Sequence, residues 1–258
     1  MELVIWVVFE TICVLAHLLM SMIPVSDPVW VWTLSAYSQV FITLISIYIF
    51  RSYLCKEPAL CSLGRKELKY CVWAAVIGVG ICLGHRALLL FFLDFVEKSL
   101  RDIGGVSISN NAVFVNTLPG ILYTALLGPA TEDIFYRGII FHVARQRWGN
   151  LYAVLISSFL FAIWHLNGVQ FISALFMGVI IGYAVILTDN VYIGVVIHVV
   201  NNAFSLFNGA VLNKLWDFEG SFAFAPIGIG ILLLVFGILM LWRETRKVAW
   251  QIRAEKEQ

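Results

Sequence analysis

Charge is what this sequence has least of. Of its 258 residues only 13% are Asp, Glu, Lys or Arg, and 61% are hydrophobic. A soluble domain is about half apolar and about a quarter charged, so the balance indicates a polytopic membrane protein. The formal net charge is +1, which gives no argument for a nucleic-acid partner. Cysteine pattern is also missing. Cys13, Cys55, Cys61, Cys71 and Cys82 form no CxxC spacing and no Cys/His cluster, and they read as small residues in a reducing or lipid setting. Cys55 and Cys61 are close enough in sequence to bridge, but no bridge is expected between them. Residues 1–22 lack a basic leader and are too long for the core of a signal peptide, so they read as a first membrane helix. No internal repeat and no low-complexity segment appears, which leaves residues 1–258 as a single transmembrane domain.

Long apolar runs are abundant. A hydrocarbon core of about 30 Å takes roughly 20 residues of helix. On that ruler the sequence predicts an all-α bundle of about eight spans, near 2–22, 29–50, 71–95, 117–142, 151–167, 170–188, 191–209 and 223–242. Turn formers lie between them: residues 24–28, Gly149-Asn150, Asn167-Gly168 and Asp189-Asn190. With both termini cytoplasmic, twelve of the seventeen Lys and Arg fall in inside segments and three outside, with Arg86 and Arg137 within spans. That bias agrees with the positive-inside rule. Residues 96–116 alternate polar and apolar and suit the membrane interface.

Against this background the stretch TEDIFYRG, residues 131–138, stands out because charge in hydrocarbon costs roughly 2.5–3.5 kcal/mol per group at a helix centre. It carries Glu132, Asp133 and Arg137 on the fourth span. His165 lies on the fifth span, and His198, Asn201 and Asn202 on the seventh. Counting about 1.5 Å per residue, Glu132, His165 and Asn202 lie roughly 16, 21 and 18 Å from the cytoplasmic ends. One shared depth favours one shared site. Asp133 and Arg137 stand at i and i+4 and can pair, leaving Glu132 turned away. Phe161 and His165, and His198 and Asn202, share faces in the same way. Pro129 removes a backbone donor one turn before Glu132 and can open a polar niche. A carboxylate, two imidazoles and an amide suffice for hydrolysis. The carboxylate takes a proton from water that an imidazole orients, and the amide and second imidazole donate to an oxyanion. The bland reading is interhelical glue, worth about 0.6 kcal/mol per bond.

EDIFYRG, then FAIWH, then HVVNN resembles the CPBP family of intramembrane proteases, the CAAX-protease and bacteriocin-processing (Abi) group. That family carries EExxxR, FxxxH and HxxxN-type motifs on successive core helices. Glu132-Asp133 with Arg137, Phe161 with His165, and His198 with Asn202 match them in order, across about residues 117–209. The resemblance implies that Glu132 and His165 activate water and that His198 and Asn202 stabilise the tetrahedral oxyanion. Asp133, Arg137 and Phe161 are supporting. The second family Glu is Asp133 here, which marks a divergent branch and leaves an ion pair to Arg137 within reach. The implied partners are membrane lipids and a peptide or lipidated-protein substrate, either a CAAX tail or a precursor, leader or sorting segment. The expected location is the cytoplasmic membrane of a prokaryote, or the endoplasmic reticulum of a eukaryote. Oligomeric state stays open.

Three other readings use the same residues. A non-catalytic scaffold or immunity protein needs them only for structure. A transporter with a Glu–His proton relay lacks a visible inverted repeat. Glu132, His165 and His198 also make a zinc ligand set with water as fourth ligand, although HExxH is absent and a metal-free, glutamate-dependent reaction is favoured. Glu2, Glu10 and His17 read as packing or snorkelling groups. His85-Arg86 suits packing, a lipid headgroup or a substrate carboxylate. Trp30, Trp32, Trp148 and Tyr152 read as interfacial anchors, His142 as a cytoplasmic-boundary residue, and Asn201 as a helix contact.

Overall fold

A computed structural model describes residues 2–21, 28–54, 65–100, 115–165, 168–210 and 225–256. The described residues form an all-α membrane bundle. Its helices are α1 (Glu2–Ser21), α2 (Pro28–Leu54) and α3 (Arg65–Leu100), then a long interrupted helix. That helix, α4 (118–148), runs through Leu118–Leu122, Tyr123–Leu127, Gly128–Asp133 and Ile134–Ile140 into Phe141–Ile163. Gly149 (φ 81°, ψ −178°) breaks it there, a conformation open to glycine, and 150–163 form α5. Then follow α6 (Gly168–Thr188), α7 (Val191–Ala210) and α8 (Ala225–Lys256).

Local chemistry explains the ends. Thr117 caps α4 in extended conformation, its Oγ1 accepting from Gly120 N at 3.2 Å, with proline in the first turn. Asp189 (φ 50°) makes the α6–α7 turn. Arg145 ties that turn to α4 through Asp189 Oδ1 at 2.5 Å, and Asn190 Oδ1 accepts from Tyr192 N at 2.9 Å. The breaks at Gly149-Asn150 and Asp189-Asn190 thus fall where turn formers predict them.

Four helices among the described residues are long and apolar enough to cross a membrane: Val29–Arg51, Glu67–Gly84, Gln170–Thr188 and Ala225–Lys247. Val191–Phe207 is apolar but shorter. Several elements extend beyond the expected spans: α2 runs to Leu54, α3 covers Arg65–Leu100, α4 runs to residue 148 and α8 continues to Lys256. Charged residues cluster in the added ends of α3 and α8, a placement that lets long side chains reach toward the headgroups.

Packing places α4 at the centre, between α2 and α7, with α5 and α6 paired beside it. On the far side α3 packs against both α7 and α8. The core is one cluster that includes Phe135, Tyr136, Ile139 and Ile140 of α4, Phe161 of α5, Ile181 of α6 and Ile197 of α7. Cys13 and Cys82 are buried and Cys71 half-buried, as expected of small packing residues. Cys55 and Cys61, the interfacial segment 101–114, the turns at 24–27 and at Asn167, and the side chains of Glu2, Glu10, His17, His85 and Arg86 lie outside the described residues.

Candidate active site

Glu132 and Asp133 sit between two widened, π-helical turns of α4, Tyr123–Leu127 and Ile134–Ile140. Such turns each insert a residue and concentrate at functional sites. Asp133 and Arg137 are both fully buried and pair at 2.9 Å, Oδ1 to Nη1. The expected ion pair forms despite the shorter carboxylate. Its other oxygen, Oδ2, accepts from His198 Nδ1 at 3.0 Å, across from α7. The i+4 arithmetic gave Asp133 one partner; the fold gives it two. Since a carboxylate only accepts, His198 Nδ1 carries the donated proton.

Phe161 is the hub. Its fully buried ring meets His165 edge-on at 5.0 Å and His198 edge-on at 5.5 Å, and the Arg137 guanidinium lies over it at 4.4 Å. A stack on an aromatic face and a carboxylate partner together offset part of the cost of burying this arginine. Arg137 Nη2 occupies the space a side chain at Gly178 would need, 2.9 Å from the position of a Cβ there. Sequence reasoning passed over Gly178, since glycine is common in membrane helices.

His165 donates from Nδ1 to the Phe161 carbonyl at 3.1 Å, which fixes its tautomer and leaves Nε2 as acceptor. Glu132 is half-buried and stands outside the Asp133–Arg137–His198 network. The two acids of the motif therefore have different surroundings.

Asn202 caps a carbonyl. In the widened turn Gly128 N bonds to Tyr123 O, so the next donor in sequence should serve Thr124 O. That residue is Pro129, which has none. Asn202 Nδ2 donates to Thr124 O at 3.1 Å in its place. Asn201 Nδ2 donates to Asn202 Oδ1 at 2.9 Å and so fixes which way the amide points. Asn201 thus serves the motif directly, beyond a helix contact. His142, expected at a boundary, is buried. Trp30, Trp148 and Tyr152 are exposed and Trp32 is half-buried.

Among the described residues no three His, Cys, Asp or Glu side chains converge on a position for one metal ion.

Residues 114–204 match the family model described as Rce1-like, type II CAAX prenyl endopeptidase. The chain is also 29% identical over 177 residues to the membrane-embedded CAAX protease MroQ of Staphylococcus aureus (strain USA300), covering 62% of this chain and 68% of that one. No solved structure matches. The matched segment spans all three motifs and the helices α4 to α7 that bring them together. Residues 114–204 of this integral membrane protein are thus similar to the Rce1-like CAAX endopeptidases, the group that the three motifs resemble.

Proposed function

We propose that the chain is an intramembrane endopeptidase. It hydrolyses a peptide bond close to the membrane in a lipidated CAAX-type protein or in a small precursor, leader or sorting peptide. The observation that carries this reading is the Phe161 hub, where two imidazoles with fixed tautomers flank one ring beside a carboxylate left outside the buried ion pair. Glu132 takes a proton from water while His165 Nε2 accepts the water's other hydrogen and aims its lone pair at the scissile carbonyl. The water oxygen bonds to the carbonyl carbon, and the oxyanion forms. Asn202, whose second amide hydrogen is not needed by Thr124, donates to it. His198 donates from Nε2 as imidazolium, with Asp133 as its counter-ion. The carbon–nitrogen bond then breaks, and the proton held by Glu132 goes to the departing amine.

The test is cleavage of a quenched fluorescent peptide ending in a farnesylated CAAX sequence, with an unprenylated leader peptide in parallel. Wild-type protein should cut at least one. Glu132→Gln keeps size but cannot take the proton, so turnover should fall by at least about 10²-fold with folding unchanged. Chelator-treated wild type should keep its activity. A well-folded Glu132→Gln variant with undiminished activity, or a wild-type cellular phenotype, would overturn the protease assignment.

A further inference from the structure

A second polar constellation lies outside the matched segment, on α2. Ser35, Gln39, Thr43 and Ser46 recur at intervals of four, four and three residues, so they share one face. Ser35, Thr43 and Ser46 are buried and Gln39 is half-buried. The helix packs on α4 along Gly128–Ile140, the stretch that carries Glu132. Gln39 stands ten residues after Val29 and twelve before Arg51, near the middle of a candidate span. Its Oε1 accepts from the Tyr123 hydroxyl at 2.8 Å. Tyr123 is next in sequence to Thr124, whose carbonyl accepts from the motif residue Asn202. The amide nitrogen of Gln39 has no hydrogen-bond partner among the described residues, and it is not sealed in the core.

A mid-span amide with idle donors is costly in hydrocarbon. A peptide entering the membrane brings the matching deficit, because its backbone carbonyls need donors there. We infer that Gln39 is a positioning residue for the peptide substrate, donating from its amide to a backbone carbonyl near the scissile bond while Tyr123 holds the amide oxygen. This rests on the endopeptidase reading and deepens it, since it adds a substrate contact from a helix beyond the catalytic motifs. Tyr123 sets the direction of the amide: with its oxygen occupied, the two N–H groups must face elsewhere.

The experiment uses the full chain and the farnesylated peptide above. Gln39→Leu, Gln39→Glu and Tyr123→Phe are compared for kcat, KM and unfolding midpoint. Binding of the same peptide is measured in the Glu132→Gln background. One lost neutral hydrogen bond predicts a rise in KM and in Kd of roughly three- to tenfold for both Gln39 variants, with kcat within about twofold. Tyr123→Phe should give a smaller rise, because the freed amide can still rotate into place. If Gln39→Leu does not fold, the isosteric Gln39→Glu carries the comparison. Unchanged KM and Kd, with or without a lowered unfolding midpoint, would make Gln39 a helix–helix tie and overturn the inference. Absence of cleavage by wild type would overturn the endopeptidase reading alone, since the binding series in Glu132→Gln reads Gln39 independently.

Discussion

Asp133 is the residue at which two networks meet. It neutralises Arg137 on its own helix and orients His198 on another, all at full burial. Asp133→Asn removes the charge and offers one N–H where an acceptor is needed. Breaking one partner of a buried pair typically costs about 3–5 kcal/mol, so thermal stability and cleavage should fall together. A variant as stable as wild type yet wholly inactive would instead assign Asp133 direct chemistry. The motif spacing made the Arg137 contact legible, because i and i+4 are neighbours on any helix. It could not reveal His198, which lies 65 positions away in the chain. That contact exists only because α4 and α7 cross at this depth.

Helices close on one another here through glycine. A Cβ at Gly230 of α8 would stand 2.4 Å from Gly84 N and 2.7 Å from the Leu83 carbonyl carbon of α3, both backbone atoms that cannot swing aside. Gly80 meets Leu234 N at 2.6 Å in the same way. Close backbone approach at small residues is how membrane helices associate without a hydrophobic drive between them. Gly230→Ala should therefore lower the unfolding midpoint, by an overpacking cost of at least about 1–3 kcal/mol. Gly228→Ala, where a Cβ meets nothing within 4 Å, is the matched control. Equal midpoints for the two would remove the seam from the account of stability. At this scale the sequence placed the breaks at Gly149 and Asp189-Asn190, since each needs a residue that tolerates positive φ. It did not place the widened turns of α4. One inserted residue leaves the composition of a helix unchanged, and only the orphaned Thr124 carbonyl behind Pro129 marks it.

For the whole molecule, the bias of twelve inside to three outside Lys and Arg predicts eight spans with both ends cytoplasmic. Reporter fusions after residue 110 and after residue 258 should then report opposite compartments. The same compartment for both would exclude that count. The bundle brings α4, α5 and α7 together around Phe161, and α2 closes on α4 from the other side. The candidate site is thus built from three helices, because no single helix face carries a carboxylate, two imidazoles and an amide.

By itself the sequence determined the class of molecule, the helical periodicity, and the three motifs that carry its resemblance to the CPBP proteases. These are local properties: hydrophobicity, i to i+4 spacing, and turn chemistry all act within a few residues. The tertiary structure alone decided who meets whom. It gave Asp133 a second partner, gave Asn202 the carbonyl that Pro129 abandons, let Arg137 into the space Gly178 leaves, and joined Gln39 to Tyr123. Each of these contacts joins residues far apart in sequence. Their geometry depends on how helices rotate and cross, which no spacing along one chain segment encodes.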